Sequence, residues 1–128
     1  MAIRIVRLGT ARAKGEGLRI GTVRRPPRGV PKREFASRDY YDVWFPTLAP
    51  GVETMQAGQA ARTPAQWKAF IKAFRAEMAA PDASRALDLL AALSHTTNLS
   101  VGCYCEDETH CHRSVLRALL QDRGAAIA

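Results

Sequence analysis

No apolar run in this chain approaches the roughly 18 residues that a membrane-spanning helix needs, so no such span is expected. The opening stretch, MAIRIVRLGTARAKG, has neither a long apolar core nor a small-residue cleavage site, so no secretory leader is expected. Cysteine is scarce. Three residues, Cys103, Cys105 and Cys111, all fall within nine positions, and an odd, clustered set reads as a site, not as a disulfide framework. That usage favours a reducing, cytoplasmic compartment, with no intramolecular disulfide expected among the three. Internal repeats and low-complexity segments are absent. Aromatics are almost missing from the basic N-terminal part, where Phe35 stands alone, so an aromatic stacking platform for single-stranded nucleic acid is not provided there.

What the sequence does have is enough for one domain. Its 128 residues are 47% hydrophobic and 24% charged, which suits a chain that buries a real core. The net charge of +7 is lopsided. Residues 1–38 carry eleven Lys/Arg against Glu16 and Glu34, a net +9, and residues 39–128 carry eight against ten acids, a net −2. A basic region of this kind attracts anions, whether nucleic acid, nucleotide or phosphate, or it simply keeps a loop solvated.

Alternation over Ile3–Leu8 predicts a first strand, and Leu18–Arg24 a second. Between Arg24 and Lys32, Pro26 and Pro27 forbid a regular helix or central strand, and the stiffened loop presents Arg24, Arg25, Arg28 and Lys32. Tyr40–Phe45, closed by Pro46, reads as a strand. Thr63-Pro64-Ala65-Gln66 is a helix start with a capping box, and Trp67, Phe70, Ile71, Phe74 and Met78 follow at helical spacing as a core stripe. Pro81 closes that helix, and Ser84 can cap another carrying Leu87, Leu89, Leu90 and Leu93. His95 near its end reads as a partner of the helix C-terminus. Leu99–Tyr104 reads as an interior strand, and Val115, Leu116, Leu119 and Leu120 mark a last helix that stops at Gly124. Alternating strand and helix in the C-terminal half predicts a single α/β domain over 1–128, with a mainly parallel central sheet flanked by helices. Within it, 1–38 is a basic strand and loop region, and 39–128 a strand–helix core.

Cys103-Tyr104-Cys105-Glu106-Asp107-Glu108-Thr109-His110-Cys111-His112-Arg113-Ser114 then joins the C-terminal end of a strand to a helix N-terminus, where open α/β sheets bind ligands. The helix end favours anions, and Arg113 and Ser114 in its first turn add donors. The same field lowers a cysteine pKa toward the reactive thiolate, and His112 can exchange a proton near neutral pH. Cys105, Cys111 and His112 are therefore the candidate catalytic residues, and Arg113, Ser114, Arg24 and Arg28 the candidate ligand-binding ones. Two other readings use the same residues. The cysteines and His110 and His112 are competent zinc ligands, although C-x-C replaces the usual C-x₂-C knuckle. Alternatively the cysteines are small buried hydrophobes, with Arg113 paired to Glu106-Asp107-Glu108. The C-x₇-R spacing from Cys105 to Arg113 is not the C-x₅-R of phosphatase and sulfurtransferase loops.

These stretches resemble a family known as domain of unknown function 488. GCYCEDETHCHRSVLRALL is similar to its cysteine-bearing strand and Cys-His-Arg signature, here Cys111-His112-Arg113. Arg19-Ile20, Arg24 and Pro27-Arg28-Gly29 resemble its R-I-x-x-x-R-x-x-P-R-G stretch, and Asp42–Pro50 its D-x-W-x-P-x-L-A-P segment. Many relatives carry aspartate before the early arginine and tryptophan before Pro-Arg-Gly, where this chain has Val23 and Pro26. The resemblance implies an α/β fold and a site joining the arginine loop to the Cys-His-Arg loop, without naming a reaction. The expectations are then an enzyme or ligand-binding protein for a small phosphate-containing anion, needing no cofactor. The rivals are a nucleic-acid-binding accessory protein using residues 4–38, and a domain stabilised by zinc.

Overall fold

Leu99–Cys103 forms β4, the centre of the sheet. In the computed structural model, which describes residues 1–128, it lies between β1 (Ile3–Arg7) and β2 (Leu18–Gly21), and a two-residue edge strand, β3 (Val43–Trp44), completes the order β1-β4-β2-β3. Every pairing is parallel. All five residues of β4 are buried, the pattern of a parallel strand covered on both faces. Four helices follow the expected alternation only in part: α1 (Val52–Ala60), α2 (Pro64–Met78), α3 (Pro81–Leu93) and α4 (His112–Asp122). No helix is long and apolar enough to cross a membrane.

The two faces of the sheet are covered differently. Ile3, Ile20, Leu99 and Val101 pack with Phe70, Phe74 and Met78 of α2, Leu87 and Leu90 of α3, and Leu116, Leu119 and Leu120 of α4. On the other face lie Arg19, Gly21, Ser100 and Gly102, and loops take the place of helices there. Gly21 has no side chain because the Tyr41 ring occupies that space; an added Cβ would stand 2.3 Å from it. This explains why Tyr40–Phe45 yields only two strand residues: Tyr41 turns inward to roof the sheet, and pairing starts only at Val43. The second strand ends at Gly21, short of the prolines.

The Thr63 capping box forms in both directions, as its sequence requires. Pro81 does not merely end α2; it is the first residue of α3, where its fixed φ and missing N–H are tolerated, and Ser84 lies inside the first turn instead of capping it. Helix α1 has no buried residue and no side-chain cap, so neither signal marks it in the sequence. Of the expected core, Phe70, Phe74, Leu90, Val101, Leu116 and Leu119 are buried, whereas Trp67 is half-buried. His95 hydrogen-bonds the Gly124 carbonyl through Nε2 at 2.7 Å, tying the end of α3 to the end of α4.

Under the loop roof sits a charged core. Arg19 is 0% exposed, and its guanidinium donates to both carboxylate oxygens of Glu16 and to the carbonyls of Thr10 and Asp39. Glu16 also accepts from Ser100 Oγ on β4 and from the Ala13 N–H, and these donors hold its carboxyl down at about 2 against the opposing effect of burial. One pair thus fastens loop 8–17 and loop 35–42 to the sheet. Replacing Arg19 by Met leaves Glu16 buried without its cation and should cost about 3–5 kcal/mol. Urea unfolding of Arg19→Met and of the double variant Arg19→Met/Glu16→Leu checks this. The single variant should be the less stable of the two, and an unchanged midpoint would refute it.

Candidate functional site

At its C-terminal end β4 delivers Cys103, and the chain leaves the sheet through Tyr104 and Cys105. It returns with Cys111 as the N-cap of α4 and His112 as that helix's first residue. The acidic run between them folds on itself and outward. Asp107 accepts from the Thr109 N–H and hydroxyl and from His110. Glu108 is paired to Arg117 at 2.7 Å, and Glu106 to Arg7 at 3.6 Å. None of the three acids forms an ion pair with Arg113, so the reading in which they neutralise it does not hold.

Three thiols and one imidazole meet in the space this loop encloses. Cys103 and Cys111 are buried and Cys105 is exposed, and all three are free. Ligand atoms of Cys103, Cys111 and His112 lie within 4.8 Å of one another, a set competent to hold a metal ion. His112 Nε2 stands 2.7 Å from the Thr22 carbonyl. A carbonyl can only accept, so Nε2 carries the proton, and the Nδ1 lone pair faces Cys111 Sγ at 3.8 Å. Burial lowers the His112 pKa to about 4, so the ring is neutral at physiological pH.

The thiols separate by environment. Cys105 accepts hydrogen bonds from Cys103 and Cys111, and with the nearby charge of Arg113 these hold it well below the ordinary thiol range, against its partial burial. Cys103 is pushed far up by donating to Cys105 and to Cys111 and by burial. Cys111 receives a hydrogen bond from Cys103, but donation to Cys105 and burial carry it above its ordinary value. The exposed Cys105 is thus the most acidic of the three thiols.

The expected anion ligands divide. Arg113 is buried, donates to the Cys105 carbonyl, and has one nitrogen, Nε, without a partner. It lies behind the loop, where its charge acts on the Cys105 sulfur. Ser114 turns its hydroxyl back to the Cys111 carbonyl and caps the helix turn. Arg24 is held by the carbonyls of Pro46, Ala49 and Pro50, so it clamps that segment. Arg28 has no ion pair and neither does Arg25, which is not among the ligand-binding residues expected from the sequence; both line one cleft of about 610 Å³ together with Arg24 and with Cys103, Cys105, Cys111 and His112. Tyr40, Trp67 and Tyr104 form further wall, and Trp67 stacks on Phe70 at 4.7 Å and contacts His110 at 5.4 Å. No aspartate or glutamate is among the 21 lining residues. Trp67 fits the helical stripe and so reads as core from the sequence; in the fold it is half-buried and lines the cleft.

A family model described as the active DUF488-N3 subclade matches residues 3–124. No curated protein and no solved structure matches the chain.

Two measurements check the electrostatics. Alkylation of the native protein should be dominated by Cys105, with a rate nearly constant from pH 6 to 8; an ordinary thiol changes roughly tenfold per pH unit there. Cys105→Ser should abolish this fast phase, and an ordinary pH profile would refute the thiolate. His112, at about 4 when folded and 6.5 ordinarily, binds a proton more readily in the unfolded chain. Stability should therefore fall as pH drops from 6.5 to 4, by about 3 kcal/mol for this group, and level off below. His112→Gln should lack that share of the decline in a pH series of urea midpoints.

Proposed function

The chain belongs to the DUF488 family, and from that premise we propose that it is a thiol-dependent enzyme acting on a small organic anion, with Cys105 as the nucleophile. The observation that carries this reading is the cleft lining: three arginines and no carboxylate around the exposed Cys105. A cleft of about 610 Å³ suits a small molecule. Arg25 and Arg28 meet its phosphate or other anionic group, and Tyr104, Tyr40 and Trp67 meet its apolar or planar part. The description of the subclade as active agrees with catalysis.

In this reading the Cys105 sulfur forms a bond to the electrophilic centre of the substrate, and the leaving group departs with the bonding pair. Water then displaces the sulfur, His112 Nδ1 takes the proton from that water, and the thiolate is restored. Arg113 touches no substrate. It positions Cys105 through its carbonyl and supplies the positive charge that favours thiolate over thiol. The basic N-terminal region contributes less free charge than its composition suggests, because Arg12, Arg19 and Arg24 are bonded within the fold. A continuous surface for nucleic acid is correspondingly less supported than the cleft.

Inorganic phosphate, pyrophosphate and nucleoside phosphates should raise the thermal unfolding temperature of the native protein. The double variant Arg25→Ala/Arg28→Ala, with both changes at exposed positions, should keep its fold by circular dichroism and lose that protection. Protection retained in the double variant would place the anion elsewhere. Binding that instead falls steeply with salt and is weakened in similar steps by changes across residues 4–38 would mark a nucleic-acid binder.

A further inference from the structure

We propose that Cys103, Cys111 and His112, with Cys105 recruited as fourth ligand, form a tetrahedral site for one zinc ion. The site stands on donor geometry and is independent of the nucleophile reading above. In a tetrahedral site, bonds of about 2.3 Å to sulfur and about 2.0 Å to nitrogen place two sulfurs about 3.8 Å apart and sulfur and nitrogen about 3.5 Å apart. The three donors of Cys103, Cys111 and His112 all lie within 4.8 Å of one another, and Cys111 Sγ and His112 Nδ1 are already at 3.8 Å. Closing on a metal therefore asks each of these three donor pairs to move by no more than about 1.3 Å.

The support behind the donors points the same way. His112 gives its Nε2 proton to the Thr22 carbonyl, which fixes the ring and leaves Nδ1 as the ligand atom. Cys103 ends a central strand, and Cys111 and His112 open a helix, so three donors sit on rigid elements. Cys105, two residues after Cys103 on the exposed part of the loop, is not among the three donors within 4.8 Å, and a swing of the loop brings it onto the fourth position. Thiolate and imidazole ligands select zinc over magnesium or calcium, which take oxygen. Binding releases the protons held by the thiols to solvent and changes no oxidation state.

The test uses the full chain, reduced and stripped with a chelator, titrated with zinc against a chromogenic zinc indicator. One ion per chain is expected, with alkylation of Cys105 slowed more than about tenfold by one equivalent and restored by chelator. Cobalt in place of zinc should give the absorption of a tetrahedral thiolate site, and Cys111→Ser or His112→Gln should weaken it. Should a buried variant not fold, Cys105→Ser at the exposed position provides the check: it should retain cobalt with one fewer thiolate contribution. Uptake well below one per chain, or uptake indifferent to Cys111, His112 and Cys105, overturns the site. Stoichiometric zinc in a protein whose Cys105 reacts like an ordinary thiol upholds the site and removes the nucleophile reading. Alkylation of Cys105 that one equivalent of zinc leaves unchanged overturns Cys105 as the fourth ligand.

Discussion

A fully buried guanidinium has to be satisfied on every side, and Arg19 organises the non-helical half of this protein for that reason. Its partners come from loop 8–17, from Asp39 and, through Glu16, from β4. Its own backbone N–H goes to Asp42, which also receives Arg12. With those loops fastened, Tyr41 lies on Gly21, and Tyr40 can reach Tyr104 and the cleft. A sheet with helices on one face only would otherwise leave Arg19, Ser100 and Gly102 open to water. The charged pair is what lets loops do the covering.

The same logic, reversed, operates at the other end of the sheet. Arg113 is as inaccessible as a core residue, yet no carboxylate stands in ion-pair range and one of its nitrogens has no partner. The acids nearest in sequence are bonded to Arg7, Thr109, His110 and Arg117 instead. Arg113 holds the Cys105 carbonyl, and its charge pulls the Cys105 thiol below its ordinary range. A nearby cation favours thiolate over thiol, and no carboxylate lines the cleft to oppose it.

Much of this was legible in the residues. Alternation, proline placement and the Thr63–Gln66 box locate strands β1, β2 and β4 and helix α2, because these are local rules that a short window satisfies. The concentration of cysteine, histidine and arginine between a strand and a helix marks the site. Other features were not legible for definite reasons. Helix α1 buries nothing and carries no cap, so no periodic signal exists to read. Ser84 looks like a cap, but Pro81 can begin a helix as well as end one. Arg24 and Arg25 are neighbours of identical type, and only the carbonyls of Pro46, Ala49 and Pro50 make the first a clamp and leave the second in the cleft.

The sequence by itself determined the fold class, the parallel central strand, the loop that holds the chemistry and the family, since each rests on patterns within a few tens of residues. Tertiary structure alone decided which charges are free. Arg19 and Glu16, Arg24 and the carbonyls after Phe45, and His112 and Thr22, 90 positions away, are pairings set by chain packing, and no spacing in the sequence encodes them. An ionisable side chain's state depends on what surrounds it in space. That is why Cys105, His112 and Arg113 were identifiable as residue types, and why the surroundings that lower Cys105 and His112 and bury Arg113 appear only in the folded protein.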